Sequence, residues 1–382
     1  MLHTRIHSTA PHSADRASEW FPLLPRHKPA CRALAERIGE LRDLTQTTAG
    51  ATTYRHIAQA AEAHNKAALI ASDCGLPTLA HRLCWRQFTL FQRSAPLAGD
   101  TARLALQPLI NLARLAIRAG DGMRAHHILR QIHSGVTSQN TRTIDNRTVD
   151  FHTFLRDPAD LPEIHRFLWT VLLADGTRAL TRAGRWNEVK QHLERHKGIG
   201  SRMLDGRQVA ILCRATSGAH EAALALIDSS TTSEAWERAV AACLRTLCLH
   251  KANRESNQAA VAMVDTYLDL PADTPIAFHT RLGLCVLDLT DTRTQRRADI
   301  ASRVLRRVLA YGDADSAAHL LDHPACETAT DQTERAALAS IIARSGLRQG
   351  WIAEDLAKDL FSAVTTSEEN LARGLQQQAH ER

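Results

Sequence analysis

Aromatic residues supply only 4% of this chain of 382 residues, although hydrophobic residues of all kinds reach 44%. Packing must therefore rest on Ala, Leu, Val and Ile, a composition better suited to close helix–helix contacts than to a β-sandwich. Lysine is scarce, at positions 28, 66, 190, 197, 251 and 358 alone, so the net charge of +6 is almost wholly an arginine charge. Such enrichment reflects either acidic partners or a GC-rich genome, and spread over this length it falls short of a compact nucleic-acid patch. Direct nucleic-acid binding is not expected. No window approaches eighteen uncharged apolar residues, and 1–16 carries no apolar core of a secretory leader. The expectation is a cytoplasmic, soluble protein with no membrane partner. The eight cysteines, at 31, 74, 84, 213, 243, 248, 285 and 326, include no C-x-x-C pair, which predicts buried free thiols in a reducing compartment.

Signatures of catalysis are missing too. Neither G-x-S-x-G nor G-x-x-x-x-G-K occurs, and Gly198-Ile199-Gly200 follows a helical stretch rather than a strand, so it reads as a helix C-cap and loop. No enzymatic activity and no cofactor is expected. His192 and His196 are the best metal-ligand candidates, because a four-residue step puts both imidazoles on one helix face. They lack the glutamate that follows the first histidine in metalloproteases, and no third ligand can be nominated, so no metal is assigned. Cys243 and Cys248, with His250 nearby, point about 140° apart on a helix and read as core.

What the chain does have is a recurrent glycine. Gly75, Gly120, Gly184, Gly218 and Gly312 each sit in a short gap between apolar-periodic stretches. Five residues on stand Ala80, Ala125, Val189, Ala223 and Ala317. The pattern predicts helix–turn–helix hairpins: Thr53 to Phe91, with Pro77 opening the second helix, then Thr101 to Ile132, Ile164 to His196 and Met203 to Ile227. Helices are also expected before them, at 29–44, and after them to about Phe361. One stretch breaks the period: Thr141 to Ile144 and Thr148 to Phe151 alternate around Asp145-Asn146-Arg147, predicting a short β-hairpin.

These hairpins resemble degenerate tetratricopeptide repeats. The family places a small residue seven before the turn glycine, where this chain has Ala68, Ala113, Thr177 and Ile211; the family's tyrosine four before it is replaced by Ala71, Ala116, Leu180 and Arg214. Only Gly184 to Gly218 keeps the 34-residue step, the other intervals being 45, 64 and 94. The resemblance implies an all-α solenoid of antiparallel helix pairs carrying a short β-hairpin insertion. It divides the chain into a flexible tail (1–28), N-terminal helical hairpins (29–135), the insertion (136–161), a continuing stack (162–365) and a polar C-terminal helix or tail (366–382).

A stack of this kind implies a concave groove lined by the first helix of each pair. By offset from each turn glycine, the lining is Asn65 and Leu69, Ile110 and Arg114, Ala174 and Arg178, and Gln208 and Leu212. Arginines and carboxamides among aliphatics suit an extended protein or peptide segment, held by its backbone and acidic groups. The function implied is a binding scaffold or regulatory module. The alternatives are a ligand-sensing regulator acting through a separate DNA-binding partner, and an accessory subunit presenting a precursor peptide to modifying enzymes. Arg296, Arg303 and Arg307 form one further helical stripe, either a solvated face or a phosphate-binding one.

Overall fold

A computed structural model describes residues 13–26, 29–46, 52–290 and 295–381. The helices are α1 (Ser13–Glu19), α2 (Leu34–Thr45), α3 (Thr53–Asp73), α4 (Pro77–Arg93), α5 (Gly99–Arg118) and α6 (Gly122–Thr137). Strands β1 (Arg142–Ile144) and β2 (Arg147–Val149) follow, then α7 (Leu161–Val171), α8 (Thr177–Arg182), α9 (Trp186–Arg195), α10 (Asp205–Thr216), α11 (His220–Asp228) and α12 (Ala235–Lys251). The chain continues through α13 (Asn257–Leu268), α14 (Ile276–Leu289), α15 (Gln295–Tyr311), α16 (Ala314–Leu321), α17 (Pro324–Ala329), α18 (Gln332–Ser345) and α19 (Glu354–His380). The fold is thus mostly helical, with one two-stranded antiparallel sheet among the described residues. Asp145 and Asn146 adopt the left-handed φ values, 48° and 66°, that a two-residue hairpin turn requires.

The glycine punctuation has a direct backbone cause. All five turn glycines have positive φ, between 66° and 84°, where a Cβ is strained. At the first four, the next residue's N–H donates back to the carbonyls of Ala71, Ala116, Leu180 and Arg214 at 2.9–3.0 Å, the Schellman closure of a helix end. The residue four before the glycine therefore contributes its carbonyl, and its side chain is free to drift. Five residues after each glycine, Ala80, Ala125, Val189, Ala223 and Ala317 are all fully buried where the second helix returns onto the first.

The chain forms two compact units. Unit 1 comprises Met1–Pro29 and Ile199–Ala339, and unit 2 comprises Ala30–Gly198 and Ser340–Arg382.

In unit 2, α3 packs on α4, α4 on α5 and α5 on α6. Alanine makes this closeness possible: Ala60, Ala61, Ala67, Ala71, Ala105 and Ala113 are all in the core. Gly122 goes further, since a Cβ there would lie 2.0 Å from the carbonyl oxygen of Ala179. The hairpin does not stand off the helices. Ile144 and Val149 are buried, Arg147 stacks on Trp85, and Asp145 takes His81 at 2.6 Å and Arg124 at 2.5 Å. Of the stretch expected as a polar C-terminal helix or tail, 366–382, residues 366–380 are the second half of α19, whose Ser367, Leu371, Gly374 and Leu375 are buried as the helix packs on α2 and α3.

In unit 1, α10 packs on α11, α12 on α13, and α14 on α15 and α16. The arginines of the α15 stripe have partners within the unit. Arg296 pairs with Asp265 at 2.7 Å, while Arg303 and Arg307 donate to the carbonyls of Leu270, Ala272 and Thr274 beyond α13. The flexible tail expected at 1–28 needs correction over 13–26, which form α1 and a stretch whose Phe21 and Leu23 are buried. Positions 1–12 and 27–28 lie outside the described residues.

Candidate functional site

The first helices of successive pairs in unit 2 bring part of the expected groove lining together. Asn111 on α5 donates to Asn65 on α3 at 3.0 Å, and Arg114 reaches back to Asn111 at 3.3 Å. Arg114 Nε then meets Asp175 at 3.0 Å, and Arg178 Nη1 meets the other oxygen of the same carboxylate at 3.3 Å. The row continues where Arg118 donates to Ser72 and Asp73, both at 2.7 Å, and Arg37 binds Asp73 from beneath. Asp73 and Asp175 are buried, whereas Arg114, Arg118 and Arg178 keep 38–48% of their side-chain surface in solvent. Within the row, four guanidinium groups face two carboxylates, so the exposed rim is positive. Anchoring on buried carboxylates limits the rotamers of these arginines, so little freedom is left to lose when an anion binds.

Of the expected lining residues, Asn65, Arg114 and Arg178 fall on this row, with Leu69 and Ala174 half-buried beside it. Ile110 is fully buried and faces the core; its neighbour Asn111 occupies the place assigned to it. On α5 the offset is right at Arg114 and one residue off at Ile110, and a slip of one turns a helical side chain by about 100°. The same slip holds at Ala174, beside which Asp175 points inward. Gln208 and Leu212 belong to unit 1 and are buried there. Gln208 grips the chain's own Leu23. Sequence reasoning missed Asn111, Asp175 and Arg118. The available signal was Asp175 itself, an acid ending the apolar run Val171-Leu172-Leu173-Ala174.

The helix carrying Asp175 is irregular. Between α7 and α8 the backbone takes a π turn over Leu172–Gly176. His192 Nε2 lies 3.0 Å from the carbonyl oxygen of Leu172, so its ring occupies the space beside Gly176.

His192 also belongs to a chain of imidazoles that the sequence did not reveal beyond its pairing with His196. Ring centroids separate His126 from His192 by 5.4 Å, His192 from His196 by 4.7 Å, His196 from His133 by 6.4 Å and His133 from His165 by 5.0 Å. Burial, seconded by neighbouring cations, pushes His126 and His192 down to about 4, and it also lowers His133 and His196. His126 Nε2 is buried with no hydrogen-bond partner among the described residues. No three His, Cys, Asp or Glu side chains among the described residues are placed to share a metal ion. None of the eight cysteines forms a disulfide, and burial raises Cys74 to about 11 and Cys84, Cys248 and Cys326 to about 12, which leaves these four poor nucleophiles. No described helix is long and apolar enough to cross a membrane.

No protein-family model, curated protein or solved structure compared with this chain matches it.

Proposed function

We propose that the chain is a binding module of the tetratricopeptide-like solenoid type, and that the polar row on α3, α5 and α8 of unit 2 receives a protein or peptide segment bearing acidic side chains. The observation that carries the reading is the pair Arg114 and Arg178, half-exposed and locked on the buried Asp175. The solenoid reading draws support from glycine-closed helix pairs, each sealed by a buried small residue five positions on. Exposed guanidinium groups held in fixed forks suit carboxylate recognition, and the carboxamides of Asn65 and Asn111 suit a guest's backbone. As in the sequence-based expectation, the protein acts as a scaffold or regulatory subunit rather than as an enzyme.

The test is an anisotropy titration of the full chain with labelled peptides of Ala and Leu carrying Asp or Glu at two positions. The variant is Arg114→Met/Arg178→Met/Asp175→Asn, which removes both cations without leaving a buried carboxylate unpaired. Loss of two charge-assisted contacts predicts at least about tenfold weaker binding of acidic peptides, with the helical content unchanged. Equal affinity of wild type and variant, or equal binding of neutral peptides, would remove this row from consideration.

A further inference from the structure

Residues 13–26 are held in unit 1 by side chains that read them as a peptide is read. Gln208 is fully buried, and its carboxamide accepts the Leu23 N–H at 2.8 Å while donating to the Leu23 carbonyl at 2.8 Å. That is recognition of main chain, indifferent to the side chain between. Asp288, whose side chain has no exposed surface, takes Arg16 Nε at 2.5 Å, Trp20 Nε1 at 3.1 Å and His323 Nε2 at 3.1 Å. Burial opposes its charge, but the hydrogen bond and charge of His323, with the bonds from Trp20 and Arg16, hold the carboxyl below its ordinary range. The Trp20 indole stands edge-on to His319 at 5.5 Å. Cys285 Sγ lies 3.8 Å from the Ala17 carbonyl, and Lys251–Asp15 and Arg26–Asp205 close the two ends at 2.7 Å.

Two features set these residues apart from the rest of unit 1. They are separated in sequence from the rest of unit 1 by 30–198, all of which belongs to unit 2. The floor beneath them also carries buried polar groups among its apolar ones: among the described residues, without the segment, Asp288 keeps the bond from His323 and Gln208 the Met203 carbonyl. Leaving such buried groups unpartnered is costly, so whatever replaces the segment must supply the same donors and acceptors.

We propose that unit 1 contains a peptide site occupied in cis by residues 13–26, and that in trans it takes a partner polypeptide of the same chemistry. That chemistry is a cation one helical turn before an indole, followed by a short extended apolar stretch. The cis segment acts as a competitor at high effective concentration, so a partner gains the site only when the segment is weakened or outcompeted.

The experiment uses full-length protein and a fluorescein-labelled synthetic peptide of residues 13–26. The chain with Arg16→Ala/Trp20→Ala, weakened in cis, should bind the peptide at least about tenfold tighter than wild type, since two side-chain anchors are lost from the competitor alone. Adding Asp288→Asn should reverse the gain, and a peptide carrying Trp20→Ala should fail to compete. Equal binding by wild type and variant, or none by a folded variant, overturns the proposal. So does a stable wild-type dimer that the same substitutions abolish, which would assign the site to a second copy of the chain. Should the variant not fold, hydrogen exchange on wild type decides. Amides of 13–26 opening in a faster step than those of α12 and α14 support a releasable segment, and opening together with them overturns it.

Discussion

Burial of a histidine should make unit 2 lose stability as pH falls. His192 is 5% exposed and its imidazole falls from 6.5 to about 4. Burial is the main cause, followed by His196 and His126, with the Leu172 carbonyl opposing and Arg195 adding to the effect. The unfolded chain therefore takes up this proton at a higher pH than the native one. Its contribution to stability is full above pH 6.5, declines through the interval and is lost once pH has fallen through about 4. At 1.36 kcal/mol per unit, the shift is worth about 3 kcal/mol, a large share of the 5–15 kcal/mol typical of a domain. The neighbours acting on His192 work in the same direction: His126 on α6, and Arg195 and His196 at and after the end of α9, all disfavour its charged form. His64, elsewhere in unit 2, is driven to about 4 chiefly by burial and titrates in the same window. Asp145, also in unit 2, is held below its ordinary 3.8, because its bonds and charges with His81 and Arg124 outweigh burial. The assay is urea unfolding followed by circular dichroism at several pH values from above 6.5 to about 4, on wild type and His192→Gln. The substitution should remove up to one proton from the linkage, lowering the slope of stability against pH by about 1 kcal/mol per pH unit. Parallel slopes for the two proteins would refute the reasoning.

Two glycines separate packing from backbone strain. Gly122→Ala drives a Cβ against the Ala179 carbonyl at 2.0 Å and should cost about 1–3 kcal/mol. Gly218→Ala meets open space but keeps φ at 83°, so about 1 kcal/mol is expected, and calorimetry should show the smaller drop in melting temperature. Arg37→Met leaves the buried Asp73 with only Arg118 of its two cations and should cost about 3 kcal/mol in denaturant unfolding. The double variant Arg37→Met/Asp73→Asn should recover part of that loss, and a double variant no more stable than the single would exclude an electrostatic origin.

The sequence by itself determined where helices end. Its evidence is local: a glycine at positive φ, a proline at the first helical position, an Asp-Asn turn, and a small residue at the returning contact act within a few residues, so one chain displays them without reference to a fold. Hence α3, α4, α5 and α6 and the β1–β2 hairpin were legible, as was the small residue sealing each pair. Which face of a helix meets a neighbour was only half legible. Ile110 and Asn111 differ by one step, and the π turn at Leu172–Gly176 shifts the phase of the helix without any marker in composition. What no local pattern carries is contact between residues far apart in the chain. The docking of α19 on α3, the alignment of five histidines from α6, α7 and the end of α9, and the closure of Gln208 on Leu23 were decided by tertiary structure. Burial strengthens such polar contacts and penalises their absence, and burial is a property of the folded whole.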